Sequence, residues 1–401
     1  MIERTLVGCS IKIASPPDDG VTVTRGRLSV LRVAHRLPPF LGGQEIHVAE
    51  LTRHLAMQGV QQTLLCAKGD LSLTGVEIKR ISLPSRLGTI ARDTALGAQL
   101  AAIHKGNRFD VVHTHGDAPV ARGGTVAATR LGAIHVHTFH GGLTTGGVRG
   151  RLLKAMLPSG SWYLAVSEKV AGTLLRGGAD PDHIFIRPSG VRDPFIEGRS
   201  APRRSGAAIG GRLTPEKGVL QFVSAWTRMS SETELSVFGA GEEALAIERV
   251  AGQARGVKWV GELNGGQLSE LLLRTSVGAV MSVQGVKSME GTPTIALEML
   301  AAGCFPIVDA AAGEAPTLVS RFGFGSVADA PLHPGMVAAM AEASSAPHYD
   351  RIREVTRRQM ARYYGWATIA TAVRQFYLGL LDNDPHPGSA LSQLQSFDEI
   401  A

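Results

Sequence analysis

Two short apolar runs, Gly278 to Val283 and Phe305 to Val308, bracket a stretch that has to cross from one to the other. Between them Thr292 is placed to cap a helix, Pro293 suits its first position and Gly303 its stop, which predicts a helix over about 293–302. Strand, helix, strand in that order is a βαβ unit, whose long loop leaves the first strand at its carboxyl end, where open α/β sheets hold ligands. Glu290 falls in that loop and Glu298 about one and a half turns inside the helix. A helix amino terminus has unpaired N–H groups and a partial positive charge, so it attracts phosphate. Two acids beside a phosphate would repel it, unless they grip a neutral, hydroxyl-rich part of the same ligand, because carboxylates accept strongly from sugar hydroxyls. A solvated helix residue and a loop charge are the plain alternative for this pair.

The alternation recurs along the chain. Leu28 to Ala34, Val60 to Ala67, Asp110 to Thr114, Ala133 to Phe139, Tyr163 to Val166 and His183 to Ile186 read as strands, with a helix from about Glu45 to Met57 after the first. Around Glu197 to Gly206 the composition turns to Gly, Arg, Ser and Pro, as in a linker, and the pattern restarts at Ala207 to Gly210, Glu234 to Phe238 and Val257 to Val260. The reading is therefore α/β: two Rossmann-like domains, 28–200 and 201–360, facing a central cleft. A run through residues 361–382 reads as a terminal helix, 1–27 as a poorly ordered extension and 383–401 as a tail.

Composition excludes more than it selects. Glycine makes up 48 of the 401 residues, about 12% against a usual ~7%, which favours many tight strand-to-helix turns. The net charge of +6 suits an anionic substrate or an anionic membrane surface; no basic run interleaved with aromatics points to nucleic acid. Cys9, Cys66 and Cys304 are odd in number and lack ligand spacing, so they form neither a disulfide framework nor a zinc site, and a reducing cytoplasm fits. No stretch reaches the ~18 apolar residues of a membrane span. Val148 to Leu157 mixes Arg149, Arg151 and Lys154 with apolar residues in the manner of an interfacial helix lying at the inner face of a membrane, with an ordinary surface helix as the alternative.

After the first strand of the second half, Gly210-Gly211-Arg212-Leu213-Thr214-Pro215-Glu216-Lys217-Gly218 leads into another helix. Arg212 can fork onto two phosphate oxygens while Lys217 adds a mobile point charge, a pairing suited to a diphosphate. A glycine-flanked Arg and Lys followed by two acids at a helix start resembles the donor domain of retaining glycosyltransferases of family 4, with the GT-B fold, and the likeness extends from Leu28 to Leu381. The resemblance implies a nucleotide-diphosphate sugar as co-substrate, with no other cofactor. It implies that Arg212 and Lys217 hold the diphosphate, Glu290 the transferred sugar and Glu298 the ribose, with Gly291, Thr292 and Thr294 at the helix start. Gly239, Gly241, Glu262 and Leu263 would lie along the donor, the last two against the base.

The amino half carries the same likeness. Gly42 and Gly43 follow the first strand in a loop that resembles the family's glycine-rich loop, where the lack of side chains allows close backbone approach. His113 and His115 share one face of a strand, and His140 closes the next. The resemblance makes His115 a catalytic or acceptor-side contact, with His113, His140 and Ser167 on the same side; His135 and His137, inside a strand, read as structural. The sequence departs from the family at Ser189, where Asn is usual, and at Arg192, often an acid. Retention without an obvious carboxylate nucleophile implies front-face attack with no metal, although Asp180-Pro181-Asp182 and Asp382-Asn383-Asp384 have the Asp-x-Asp form of metal-dependent transferases. The acceptor would be a hydroxyl on a glycan, a lipid-linked sugar or a natural product. Two rivals share the architecture: an NAD(P)-dependent oxidoreductase, because Gly239-Ala240-Gly241 follows a strand and opens a helix with Glu262 some twenty residues on, and a sugar-nucleotide epimerase.

Overall fold

The computed structural model describes residues 27–39, 42–81, 108–141, 157–198, 204–283, 291–329, 331–344 and 348–392. Seven strands form the first sheet: β1 (Ser29–Arg36), β2 (Gln61–Lys68), β3 (Val76–Arg80), β4 (Val111–Gly116), β5 (Ile134–Phe139), β6 (Trp162–Ala165) and β7 (Ile184–Ile186). Their spatial order is β3-β2-β1-β4-β5-β6-β7, with every pairing parallel. Six more form the second: β8 (Ser205–Arg212), β9 (Leu235–Ala240), β10 (Val257–Gly261), β11 (Thr275–Val280), β12 (Phe305–Asp309) and β13 (Ser326–Ala328), in the order β10-β9-β8-β11-β12-β13. Each order reverses beside its own first strand, between β1 and β4 and between β8 and β11, and the crevice at such a reversal is where doubly wound sheets bind ligands.

The hydrophobic runs explain the central strands: β11 and β12 are buried throughout, and β4 nearly so, as strands covered by helices on both faces must be. Thr275–Val280 begins three residues before the predicted Gly278, because the capped helix Gly265–Arg274 runs into it without a loop. The edge strands β3 and β13 escaped prediction. Their partly exposed, polar sequences carry no apolar run.

The helix Trp366–Leu381 leaves the second half and packs on the first sheet. Trp366, Ile369, Val373, Phe376 and Tyr377 join Leu28, Val30, Leu51 and Leu55 in one core, and Val191 N–H donates to the Tyr364 carbonyl at 2.7 Å at the crossing. Part of the segment read as a tail also folds: a short helix, Ser389–Ser392, places Leu391 in that core. Residues 1–26, the Val148–Met156 stretch and 393–401 lie outside the described residues.

The first sheet is unusual in burying histidine. His135 and His137 bind Thr114 Oγ1 at 2.9 and 2.6 Å, and His135 also meets Ser161 Oγ at 2.7 Å, so both are structural. Burial pushes His135 and His140 down to about 3, and holds His47, His113, His115 and His137 well below the ordinary range. These rings stay neutral when folded but accept protons when unfolded. Their stabilising contribution is therefore complete above pH 6.5 and is lost as pH falls from there, by up to about 1.4 kcal/mol per pH unit for each ring. Urea denaturation at pH 7.5 and 5.5 should show a marked fall in unfolding free energy; equal values at the two pH values would contradict neutral burial.

Candidate functional site

A cavity of about 420 Å3 opens between the carboxyl ends of the two sheets. The first half supplies the loop and helix start at Gly42–Ile46, His140 and Gly141 beyond β5, and Ser189 and Arg192 beyond β7; the second supplies the ends of β8, β9 and β11 and the start of the helix Thr294–Ala302.

Arg212 is the last residue of β8, and Lys217 sits in the single turn Pro215–Lys217 that follows. Gly218, at φ 65°, turns the chain from there into the helix Val219–Trp226, in the left-handed region that glycine tolerates best. Both cations line the cavity. Burial, reinforced by Arg212 and opposed by Glu216, lowers the Lys217 ammonium to about 8, so at pH 7 it remains mostly charged.

Gly239 and Gly241 have a packing role: an added Cβ would lie 2.0 Å from the Gly211 carbonyl oxygen and 2.2 Å from that of Leu213. The Gly-x-Gly turn that suggested a dinucleotide fingerprint is thus tightly packed against the loop that carries Arg212. Gly239 reaches the cavity, whereas Gly241 is absent from its lining. Leu263 lines the cavity and Glu262 is exposed to solvent away from it.

The helix Thr294–Ala302 starts and stops nearly where expected, with Gly303 at φ 70° closing it. Its cap differs. Pro293 is the capping residue, and Thr292 instead donates its hydroxyl to the Val166 carbonyl of the first half at 2.8 Å. Gly291, Thr292 and Thr294 line the cavity; Glu290 lies outside the described residues. Glu298 is buried, and its Oε1 accepts from Arg192 Nε and Nη2 at 2.8 and 2.6 Å. Burial raises the Glu298 carboxyl, and Arg192 offsets part of that rise. The guanidinium also lies over the Phe195 ring at 5.2 Å and next to Gly265, where a Cβ would come within 2.8 Å of its Nη1. The family departure at Arg192 therefore answers the repulsion problem posed by the acids, since one of them carries its own counter-charge.

On the opposite wall, Gly43 faces Thr294 so closely that an added Cβ would stand 3.3 Å from the threonine methyl, and one on Gly42 would meet the Glu45 carboxylate at 2.3 Å. Glu45 lines the cavity and pairs with Arg36 Nε at 3.0 Å. His140 lines it as well. His115 is fully buried behind His140, its Nδ1 at 3.3 Å from His140 Nε2, and His113 lies deeper, against Tyr377 and Thr138. His140 thus borders the cavity, with His115 and then His113 packed behind it. The Ser167 hydroxyl caps the helix Glu168–Arg176 by accepting from Val170 N–H at 3.2 Å, and the residue is absent from the cavity lining.

Sequence reasoning missed Arg32, Glu45 and His47. The partners of His47 are distant in the chain: its Nδ1 bonds Ser189 Oγ at 2.9 Å, and its ring meets that of His140 at 4.7 Å. Ring nitrogens of His47, His115 and His140 lie within 4.8 Å of one another, a spacing a small cation could bridge. The always-charged Arg32 guanidinium, 3.0 Å from His115 Nε2, would repel such an ion, and among the described residues no carboxylate joins the trio. The two Asp-x-Asp segments have local uses: Asp180 accepts from Asp182 N–H at 3.0 Å and Asp384 from His386 N–H at 2.8 Å.

Two parallel Rossmann-like sheets facing a cleft, with a final helix returning to the first, define the GT-B architecture. The profile described as Glycosyltransferase Family 4 matches residues 41–193 and that of Glycosyl transferases group 1 matches 207–359, so the chain belongs to the family 4 GT-B glycosyltransferases. It is 25% identical over 394 residues to alpha-maltose-1-phosphate synthase of Mycobacterium tuberculosis, an alignment covering 85% of this chain and 96% of the relative. A solved glycosyltransferase from Rickettsia africae ESF-5 superposes with a TM-score of 0.73 at 15% identity, covering 90% of this chain and 100% of that one. Anabaena Alr3699/HepE in complex with UDP-glucose does so with 0.66 at 12% identity, covering 89% and 100%. At these identities the structural likenesses show the fold alone. Among the described residues no helix is long and apolar enough to cross a membrane.

The lowered Lys217 gives the site a measurable signature. An anion bound beside it raises its affinity for protons, so binding of sulfate, which does not titrate in this range, should take up about half a proton at pH 8, seen as buffer-dependent heat in calorimetry. Lys217→Met should abolish the uptake, and identical heats in buffers of different ionisation enthalpy would place the anion elsewhere.

Proposed function

We propose that the protein transfers a sugar from a nucleotide-diphosphate sugar, UDP- or GDP-linked, to a hydroxyl acceptor with retention at the anomeric carbon. The observation that carries this reading is the meeting of Arg212, Lys217 and the start of the helix Thr294–Ala302 in one cavity, with Glu298 inside the same helix. Two side-chain cations and a helix amino terminus match a diphosphate in charge. Glu298, held through one oxygen by Arg192, keeps Oε2 for the ribose hydroxyls, and the loop at Leu263 receives the base. Glu290 is assigned to the transferred sugar. The UDP-glucose held by the Anabaena protein and the alpha-maltose-1-phosphate named for the mycobacterial relative support a hexose donor.

In the transfer, the acceptor oxygen attacks the anomeric carbon from the face that the diphosphate leaves. The bond from that carbon to the phosphate oxygen breaks, and the acceptor proton passes to the same oxygen. Charge grows on the departing phosphate, and Arg212, Lys217 and the helix N–H groups stabilise it, the kind of electrostatic term that commonly dominates such catalysis. No step calls for a metal, because these groups supply the positive charge. Gly42 and Gly43 let the first half close on the donor, and His140 borders the transferred sugar.

Acceptor chemistry is assigned only as far as a hydroxyl of a glycan, a lipid-linked sugar or a natural product. Product formation from mixed nucleotide sugars, followed by mass spectrometry, tests the activity. Lys217→Ala and Glu290→Gln should each lower turnover about a hundredfold, as loss of a charge-stabilising contact does. UDP or GDP should bind in titrations where NADH does not. Near-normal turnover in both variants, or tight NADH binding without nucleoside diphosphate binding, would overturn the assignment.

A further inference from the structure

Arg32 lies in the middle of β1, with no exposed surface, and among the described residues no carboxylate pairs with it. A buried guanidinium without a counter-ion is costly, since removing a charge from water is repaid only by strong hydrogen bonds. Those bonds are specific. Nη1 donates to His113 Nδ1 and His115 Nε2, both at 3.0 Å, and Nη2 donates to Gln62 Oε1 at 3.2 Å and the Tyr377 hydroxyl at 3.5 Å. Gln62 is held in turn by the Thr52 carbonyl, which accepts from its Nε2 at 2.7 Å.

The consequence follows from donor and acceptor counting. Arginine only donates and keeps its proton at any pH that proteins survive, so His115 Nε2 has to offer a lone pair. A neutral imidazole has one N–H, which in His115 is then on Nδ1, 3.3 Å from His140 Nε2. That nitrogen of His140 has to accept, which leaves the His140 proton on Nδ1. A single cation thus sets the proton positions of two rings in sequence, ending at the one that lines the cavity. By the same logic, His113 accepts at Nδ1 and donates from Nε2 to Thr138 Oγ1 at 2.7 Å.

We propose that Arg32 is a positioning residue that locks His115 and His140 each in its Nδ1–H tautomer, so that His140 meets the bound sugar as a hydrogen-bond donor and not as a base. The part concerning sugar rests on the transferase reading above; the tautomer lock does not. Groups facing the relay are Arg32 from β1, His47 from the helix Gly43–Met57, His113 from β4, His137 from β5, Arg187 beyond β7 and Tyr377 from the terminal helix. None is an acid that could take over the lock or draw a second proton onto His140.

Histidine-selective 15N labelling with long-range 15N–1H correlation spectra reads the tautomers directly, with His140→Gln and His115→Gln as assignment controls. In the unaltered protein, both rings should show the Nδ1–H pattern from pH 5.5 to 8. Arg32→Met, similar in length but with no donor, should give mixed tautomers. It should also lower kcat about tenfold, roughly one lost hydrogen bond. Arg32→Lys, which restores a cationic donor, should recover the wild-type pattern at least in part. An Nε2–H tautomer at His140 in the unaltered protein, or an Arg32→Met variant with unchanged spectra and unchanged kcat, would overturn the proposal. If Arg32→Met fails to fold, the unaltered protein's spectrum and the lysine variant still decide. A correct tautomer pattern in a protein that transfers no sugar would instead count against the transferase reading alone.

Discussion

The helix Thr294–Ala302 is held at both ends, and the cavity depends on that. At its carboxyl end, Arg357 donates to the Ala302 carbonyl at 2.9 Å, Arg353 to the Gly303 carbonyl at 3.0 Å, and Arg204 to the Ala302 carbonyl as well. Three cations there complement the negative pole of the helix, each such contact being worth up to about a kilocalorie per mole. Its positive pole is left facing the cavity, where Thr292 crosses to Val166 and so fixes the approach to the first half. With seven of nine residues buried, the helix cannot tilt or slide without disturbing the second core.

Much of this was legible because it is local. Gly303 as a stop, the apolar runs of β4, β5, β8, β9 and β12, and the glycine loop before Lys217 are signals read within a few residues. The Thr292 cap failed for an equally physical reason: a hydroxyl one residue before proline can turn away from the helix when a carbonyl in another domain offers a better partner. Ser167 shows the converse. A likeness to the family placed it beside the acceptor, while its local chemistry, serine followed by an acid and an apolar face, already described a helix cap.

What the sequence hid is long-range. Nothing near Arg32 in the chain marks it as the hub of a histidine stack, because its partners lie at positions 62, 113, 115 and 377. A lone arginine in an apolar strand is nonetheless a conflict between local pattern and charge, and such conflicts tend to mark sites where function outweighs stability. Arg192 was noticed as a departure without its meaning being visible. Only the fold brings it within 2.6 Å of Glu298, more than a hundred residues away in sequence.

These two arginines act on opposite walls, and the chain ties the walls together. Arg192 precedes the helix Asp193–Glu197, whose Asp193 binds Arg53 at 2.6 Å and His54 at 3.3 Å on the helix that begins at Gly43. Arg32 is braced by Tyr377 on the returning helix, while Trp366 at the start of that helix packs its ring 5.0 Å from His47. The returning helix is thus more than a clasp on the outside of the first sheet: its first aromatic residue supports the ring beside His140, and a later one supports the guanidinium that orders His115. A displacement of that helix would disturb the histidine wall and the core beneath it together, because both are packed against the same few side chains. Cleft geometry and the proton arrangement of the first wall are consequently properties of one packed unit, and neither can be altered alone by a change at Trp366 or Tyr377.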